Sequence, residues 1–343
     1  MSTDAQPAGP RPITEDETRM AQNISLPAPA HAHAVVVGGG IMGADVALVL
    51  ARAGCHTTVI EQGEARRAAL PAYFEAGLTQ QGAERWLGRT RSVATLGDLS
   101  AHEWQGIDLV IECIPEKLAL KQTLFADLVK LTRADAVLTS NSSSFPISAI
   151  AQGLATRERL LGLHFFMPAH LVPLVEVVWS EDTAPAAAEA LANFMRRCGS
   201  VPVQVKKDLP GFLANRLQHA LAREAFAMID AGVATPEDVD AAVRFGFGFR
   251  FLAAGPVMQR DHAGIDTHCA AAATMYPSLA ANTLPALALS ERVARGDLGM
   301  KTGQGFFAWP PEAIAAERAR YDNLLRAGLQ LLKAELPPID PGE

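Results

Sequence analysis

Two ionisable side chains, His164 and Glu176, lie inside apolar runs that are typical of buried strands. A lone histidine would be explained by a satisfied core hydrogen bond, but a buried charge without a partner is costly, and these two can pair. A carboxylate that accepts from one imidazole nitrogen fixes the tautomer and leaves the other nitrogen as a base. Oxidation of an alcohol needs such a base, because hydride leaves only as the hydroxyl proton is removed. The pair therefore predicts a dehydrogenase.

A glycine-rich loop precedes this pair in the chain. Gly38, Gly40 and Gly43 form the pattern GxGxxG between an apolar strand and the start of a helix. In that context the first glycine allows a tight turn, the second lets a pyrophosphate approach the backbone, and the third lets helix and strand pack closely. Ile41 and Met42 lie in the same loop, where free N–H groups of the helix N-terminus face negative oxygens. The loop therefore predicts a dinucleotide site formed by these five residues.

An acid at the end of the next strand indicates which dinucleotide binds. Glu61 follows Gly43 by 18 residues and can accept hydrogen bonds from the adenosine ribose hydroxyls. A 2′-phosphate there would meet a negative charge, so NAD is expected over NADP. Arg66 and Arg67 are close enough to weaken this preference, although both also suit a solvated helix face.

Periodicity along the chain predicts two domains after a tail. From residue 34 to about 207, short β-rich runs alternate with helical patterns, which predicts an α/β domain with a Rossmann-type, doubly wound, mostly parallel sheet. From 208 to 343 the pattern is helical, with apolar residues such as Leu217 and Leu221 at spacings of three and four, which predicts an all-α domain. Residues 1–33 lack sustained periodicity and predict a poorly ordered tail with one helical turn at most.

Composition restricts the class of partner. The 343 residues carry a net charge of −7 and no basic stripe, which argues against a protein that binds nucleic-acid phosphates. No membrane span is expected, because glycines and charged residues interrupt the apolar run 34–53. The four cysteines are far apart and form no CxxC, so we predict no metal site and expect reduced packing residues in a cytoplasmic protein. Residues 1–20 show neither secretory nor mitochondrial signal features.

Six stretches together resemble one known family. In chain order they are VVVGGGIMGA, DLVIECIPEKLALKQTLF, TSNSSSFPIS, GLHFFMPAHLVPLVEVV, DLPGFLANRL and GMKTGQGFFAW. They look like the successive motifs of the L-3-hydroxyacyl-CoA dehydrogenase family, over residues 34 to about 310. The resemblance implies an N-terminal NAD domain and a C-terminal helical domain through which two copies form a homodimer. It also implies a site for a small-molecule substrate in the cleft between the domains.

The resemblance further implies roles for particular residues. The histidine and glutamate keep the roles given above, as base and orienting partner. Ser143 and Asn215 would hold the substrate oxygen, and Ser143 would also lie near the cofactor. Glu116 and Lys121 match family residues near the cofactor. Without the resemblance, Ser143 would be explained by a polar turn and Asn215 by helix capping.

Three features leave the substrate open. Met167 stands where the family has asparagine, so a donor and an acceptor near the substrate are lost. Five arginines between Glu61 and Val93 could meet the phosphates of CoA, although solvation of a surface is the simpler explanation. Other stretches look similar to relatives that oxidise free L-carnitine, L-gulonate or a pyridine-ring catabolite of vitamin B6. For a free acid of this kind, Arg250 is the candidate partner of the carboxylate.

The expected function is therefore NAD-dependent hydride transfer between an L-3-hydroxyacyl-type alcohol and its ketone. An acyl-CoA substrate is the first alternative, and a free small hydroxy acid or alcohol is the second. The rival from another class is an NAD-binding protein without turnover, which the presence of both His164 and Glu176 disfavours.

Overall fold

The computed structural model describes residues 24–342, which form two compact units. The first unit contains the chain up to Phe212 together with the C-terminal segment that begins at Leu336. The second unit contains Leu213–Glu335.

The first unit is built on one eight-stranded sheet. Its strands are β1 (His33–Val37), β2 (His56–Ile60), β3 (Thr90–Val93), β4 (Leu109–Glu112), β5 (Val137–Ser140), β6 (Leu160–Phe165), β7 (Leu174–Val178) and β8 (Val201–Val205). Their order in the sheet is β3-β2-β1-β4-β5-β6-β7-β8. Neighbouring strands are parallel except for β6 and β7, which are antiparallel. The predicted Rossmann-type, doubly wound, mostly parallel sheet is confirmed.

Helices cover both faces of this sheet. They are α1 (Ile41–Arg52), α2 (Glu64–Gln80), α3 (Ala101–Gln105), α4 (Leu118–Leu131), α5 (Ile147–Ile150) and α6 (Pro185–Arg197). Alternate residues of a strand point to opposite faces, and in β1 Ala34 and Val36 belong to one buried cluster while Val35 and Val37 belong to the other. The first cluster includes residues of α1, α2 and α6, and the second includes residues of α3, α4 and α5.

The topology brings residues with reactive or polar groups to one edge of the sheet. Strands β1, β2, β4 and β5 are parallel, so the residues that follow them lie at the same edge, where open α/β sheets bind ligands. These residues are Gly38, Glu61, Cys113 and Asn141. Strand β7 returns antiparallel along β6, and the register pairs His164 with Glu176.

The second unit is helical, as predicted. Its helices are α7 (Ala214–Asp230), α8 (Pro236–Ala242), α9 (Met258–Ala263), α10 (Ile265–Met275), α11 (Leu287–Arg295) and α12 (Pro311–Leu331). Helix α8 begins with a capping box, in which the Thr235 hydroxyl accepts from the Asp238 backbone N–H at 3.2 Å. Within Leu213–Glu335 the buried positions are Ala254, Ala288 and Gly305. The large apolar side chains of this unit are therefore exposed or half-buried.

The N-terminal and C-terminal segments differ from the predicted domain limits, because both belong to the first unit. The predicted tail, 1–33, lies outside the described residues up to residue 23, but Ile24 is buried in the core of the first unit. The Ala30 N–H donates to the Pro341 carbonyl at 2.9 Å, so the start and end of the described chain pair with each other. Both segments therefore belong to the first unit: Ile24 and Ala30 are part of its buried core, and Ile339 forms an isolated β-bridge with Cys198.

The boundary between the units also lies later than predicted. We expected the second domain to begin at residue 208, whereas the first unit continues to Phe212. The physical reason is that the Phe212 ring is buried in the core cluster that contains Val178 and Ile147.

Two of the four cysteines lie where packing residues are expected. Cys55 and Cys198 are buried, Cys113 is half-buried, Cys269 is exposed, and all four are free thiols. Burial raises the pKa of Cys55, Cys113 and Cys198, so these thiols stay protonated at neutral pH. Among residues 24–342, no helix is both long enough and apolar enough to cross a membrane.

Candidate active site

The glycine loop between β1 and α1 has the geometry of a pyrophosphate site. Gly38 has a φ of 104°, and a Cβ there would lie 2.6 Å from the Cys113 carbonyl oxygen. A Cβ at Gly43 would lie 1.8 Å from the Gly38 carbonyl oxygen, whereas a Cβ at Gly40 would meet nothing within 4 Å. Gly38 and Gly43 are thus required by the packing of the protein itself, whereas Gly40 faces open space. Ile41 and Met42 begin α1, so their N–H groups belong to a first turn that has no intrahelical acceptor.

Glu61 is held in place beside this loop. Its carboxylate accepts from the Gly39 N–H at 3.0 Å, from the Gly63 N–H at 2.6 Å and from Arg66 at 2.8 Å. Burial would raise the pKa of this carboxyl, but the hydrogen bonds and the Arg66 charge outweigh it and lower the pKa. Glu61 is therefore ionised at neutral pH, and its oxygens keep lone pairs for ribose hydroxyls. Arg67 instead donates to the Glu61 carbonyl at 2.8 Å.

A buried lysine links two acids at the ends of β4 and the start of α4. The Lys121 Nζ lies 2.7 Å from the Glu112 Oε1 and 3.1 Å from the Glu116 Oε2. Glu112 and Lys121 are almost fully buried, and the Ser140 hydroxyl donates to the Glu112 Oε2 at 2.6 Å. Each buried charge thus has an opposite charge and a further hydrogen bond, which such groups need to be tolerated.

Ser143 lies in a loop that Glu116 holds from both sides. The hydroxyls of Ser142 and Ser144 both donate to the Glu116 Oε1. Burial would raise the pKa of Glu116, but these two hydrogen bonds and Lys121 lower it to about 2. Ser143 is exposed between the two serines. The structure therefore brings Ser143, Glu116 and Lys121 together beside the carboxyl ends of β4 and β5.

His164 and Glu176 form a hydrogen bond across β6 and β7. The His164 Nδ1 lies 2.7 Å from the Glu176 Oε2, His164 is 4% exposed, and Glu176 is fully buried. A carboxylate can only accept, so Nδ1 carries the proton and Nε2 is the basic nitrogen. The arrangement can take a proton at Nε2 and stabilise the resulting imidazolium through Glu176.

Two aromatic rings and one amide fix the surroundings of the imidazole. The rings of Phe166 and Phe212 meet it edge to face, with centroids at 4.5 and 5.5 Å. The Phe165 N–H, next to His164 in β6, donates to the Asn141 Oδ1 at 2.8 Å. The His164 imidazole is thus packed at the same edge of the sheet as the glycine loop.

The remaining predicted residues have different placements. Met167 is the second residue after β6 and is 60% exposed. Asn215 lies in the first turn of α7 and Arg250 in the turn Phe249–Leu252, both within the second unit. Their predicted contacts with substrate stay predictions.

Sequence reasoning did not find Glu112, Asn141 and Phe212. Glu112 carries the signal that identified Glu176, an acid within an apolar strand, and Lys121 follows it by nine residues. Asn141 is a polar residue directly after an apolar strand, which is a weak signal. Phe212 gives no sequence signal of its contact with His164, because 48 residues separate the two.

Among residues 24–342, no group of three or more His, Cys, Asp or Glu side chains is placed to hold a metal ion.

Known proteins similar to this chain agree with the geometry. The family model described as 3-hydroxyacyl-CoA dehydrogenase, NAD binding domain, matches residues 33–209, and that of the C-terminal domain matches residues 211–309. The 3-hydroxybutyryl-CoA dehydrogenase of Mycobacterium tuberculosis is 37% identical over 285 residues, which is 80% of this chain and 97% of that protein. The 5-formyl-3-hydroxy-2-methylpyridine 4-carboxylate 5-dehydrogenase of Mesorhizobium japonicum is 32% identical over 294 residues, 83% of this chain and 94% of that protein.

A solved structure is similar over nearly the whole chain. It is a 5-formyl-3-hydroxy-2-methylpyridine 4-carboxylic acid 5-dehydrogenase described as an NAD⁺-dependent dismutase, with a TM-score of 0.82 and 30% identity. The match covers 88% of this chain and 98% of that one. The fold and site therefore define an NAD-dependent dehydrogenase that acts on CH–OH groups. The chain belongs to the 3-hydroxyacyl-CoA dehydrogenase family.

Glu61 generates a prediction about the cofactor. We expect NADH to bind at least about tenfold more tightly than NADPH, because a 2′-phosphate would face the ionised Glu61. In Glu61→Gln, Arg66 loses its ionic partner and can meet a 2′-phosphate, so the ratio of the two dissociation constants should narrow by about tenfold. Fluorescence titration with NADH and NADPH measures this ratio without a substrate. Arg66→Ala is the matched control and should not narrow it; tighter NADPH binding by the unmodified protein would contradict the role of Glu61.

Proposed function

We propose that His164 is the general base that removes the hydroxyl proton of a secondary or primary alcohol, and that Glu176 orients it. The observation that carries the proposal is the buried 2.7 Å hydrogen bond between the His164 Nδ1 and the Glu176 Oε2. A binding protein without turnover has no need of this buried pair, since burying both groups is costly.

The proposed residues divide the work of the reaction. Bound NAD⁺ supplies the hydride acceptor. His164 accepts the substrate proton at Nε2, and Glu176 stabilises the positive charge that results. Ser143 and Asn215 are proposed to hold the substrate oxygen, which for Ser143 is supported by its exposure in the loop that Glu116 fixes. In the reverse direction the imidazolium returns the proton to the carbonyl oxygen.

We propose a small substrate that carries no CoA. The five arginines that could have met CoA phosphates all have partners within the first unit. Arg66 pairs with Glu61, Arg67 donates to the Glu61 carbonyl, Arg85 and Arg89 lie over the Trp86 ring, and Arg91 pairs with Glu103. Arg89 also donates to the Gly54 carbonyl at 2.8 Å. Residues 62–92 contain no lysine, so this region offers little free positive charge.

The similarity to known proteins supports the same substrate class. The pyridine-carboxylate dehydrogenase structure matches this chain with a TM-score of 0.82 over 88% of its length. We therefore propose a free hydroxy acid or alcohol, with Arg250 as partner of its carboxylate and Met167 against its apolar part. An L-3-hydroxyacyl-CoA remains the second candidate, favoured by the 37% identity to a 3-hydroxybutyryl-CoA dehydrogenase.

We also propose that the protein is a cytoplasmic homodimer formed through the second unit. Large apolar side chains in this unit are exposed, among them Leu217 at 58%, Phe245 at 73% and Leu287 at 63%. A unit of this size normally buries such side chains to offset the loss of chain entropy. A second copy that covers these helices would supply the missing burial.

A panel of alcohols tests the proposed function. Free 3-hydroxy acids, L-carnitine, L-gulonate and hydroxymethyl-pyridine carboxylates would be compared with 3-hydroxyacyl-CoA thioesters by the appearance of NADH absorbance. We expect turnover with at least one free compound and a kcat/KM at least about tenfold lower for every thioester. Activity confined to thioesters would contradict the substrate class, and no activity with any compound would contradict the proposed dehydrogenase.

Sedimentation and light scattering test the proposed dimer. We expect a mass close to twice that of one chain, because the exposed apolar helices associate. Leu217→Asp places a charge in the proposed interface and should shift the mass to that of one chain, while Arg91→Ala in the first unit should leave it unchanged. A monomeric unmodified protein would contradict the proposal.

A further inference from the structure

Helix α1 carries a buried acid that the reaction described above does not use. Asp45 is the fifth residue of α1 and is 3% exposed. Its Oδ2 accepts from the Ala169 backbone N–H at 2.9 Å. Its Oδ1 accepts from the Tyr73 hydroxyl and lies 3.2 Å from the His170 Nδ1. The two hydrogen bonds satisfy both oxygens of this buried side chain, as buried polar groups require.

A second residue of the same helix meets the same loop. Arg52 donates to the His170 carbonyl at 3.3 Å. The N–H of Ala169 and the carbonyl of His170 are thus both bonded to charged side chains of α1. Arg52 also donates to the Cys198 carbonyl at 3.2 Å, which ties α1 to the end of α6.

The loop in question connects the two strands of the proposed catalytic pair. Residues 166–173 lie between β6, which carries His164, and β7, which carries Glu176. Ala169 is buried against α1, whereas Met167, two residues earlier, is 60% exposed at the sheet edge. The backbone of Ala169 therefore fixes where the side chain of Met167 is presented. Helix α1 begins at the glycine loop that binds the cofactor, so one rigid element contacts both the cofactor site and this loop.

We propose that Asp45 is a positioning residue: through the Ala169 N–H it holds the loop 166–173 against α1, so that the substrate is presented correctly to His164. The inference rests on the proposed function. The side chain of Asp45 bonds to Ala169 and Tyr73, neither of which belongs to the His164–Glu176 pair or to the glycine loop, so its effect should fall on substrate placement and leave cofactor binding and the base intact.

The loss of the carboxylate has a defined consequence. Without it the Ala169 N–H is buried without an acceptor, and the loop must move to find one. A displacement of about 1 Å at a substrate contact can cost on the order of a hundredfold in rate. An asparagine keeps an amide oxygen that can accept from Ala169, so it should preserve the loop.

Three variants separate this role from simple packing. We expect Asp45→Ala to lower kcat/KM at least about tenfold, mainly through KM for the alcohol, with the NADH dissociation constant within about twofold of the unmodified protein. Asp45→Asn should restore kcat/KM to within about threefold. Tyr73→Phe is the matched control, because it removes another partner of Asp45 and leaves the Ala169 bond in place; its kcat/KM should stay within about twofold.

Other results would overturn the proposal. A lower melting temperature in Asp45→Ala with unchanged kcat and KM would show a purely structural role. Equal losses of kcat/KM in Asp45→Ala, Asp45→Asn and Tyr73→Phe would also contradict the proposed role. A loss of NADH binding in Asp45→Ala would contradict it as well.

A measurement without turnover keeps the proposal testable if Asp45→Ala does not fold or if the proposed function fails. In the unmodified protein the Ala169 amide should exchange its hydrogen within about tenfold of the rate of the Phe165 amide, because both are bonded to side-chain oxygens at the sheet edge. Rapid exchange at Ala169 alone would show that Asp45 does not hold the loop. Absence of turnover with slow exchange at Ala169 would instead contradict the dehydrogenase proposal and leave the contact intact.

Discussion

The hydrogen bond between His164 and Glu176 depends on a single change of strand direction. Six of the eight strands are parallel to one another, whereas β7 and its parallel neighbour β8 run in the opposite direction. Because of that reversal, residues 12 apart in sequence become cross-strand partners, and a carboxylate reaches an imidazole inside the sheet. Removing one partner of such a buried pair typically costs about 3–5 kcal/mol, because the other is left unpaired. The fold therefore fixes the geometry on which the proposed chemistry depends.

The other acids of the site are likewise held by several donors at the carboxyl edge of the sheet. Glu61 is fixed by the N–H groups of two glycines, and Glu116 by two serines and Lys121. These contacts preorganise the site before any ligand arrives, which limits the cost of ordering it on binding. Met167 differs from these residues, because its side chain is 60% exposed. The identity of the residue at that position is therefore free to follow the substrate.

Local signals in the sequence were sufficient to predict the sheet, the glycine loop and the pairing of His164 with Glu176. The GxGxxG spacing and the acid after the next strand report short-range geometry, and the structure places Gly38, Gly43 and Glu61 as that geometry requires. The buried histidine and glutamate were detectable because ionisable residues are rare in apolar strands. Glu112 had the same signal and was missed because its partner Lys121 lies in a helix, where lysine is usually a surface residue.

The features that could not be predicted depend on contacts between residues far apart in the sequence. Phe212 reaches His164 across 48 residues, and Asp45 reaches Ala169 across 124, and no periodicity reports either distance. The predicted tail was partly wrong because Ile24 and Ala30 are buried in the core of the first unit, and the Ala30 N–H bonds to the Pro341 carbonyl more than 300 residues away. The apolar stripe correctly predicted helix α7, yet Leu217 and Leu221 are exposed. Such a stripe predicts that one face of the helix is buried, but it does not identify what covers that face.

The most direct measurement of the central claim is single-turnover NADH formation by His164→Ala with the best substrate of the unmodified protein. The rate should fall by about a hundredfold or more, while the NADH dissociation constant is retained, because the base is lost and the glycine loop is not. The double variant His164→Ala/Glu176→Ala should behave in the same way, and it leaves no unpaired carboxylate that could unfold the sheet. Full turnover in either folded variant would contradict the account.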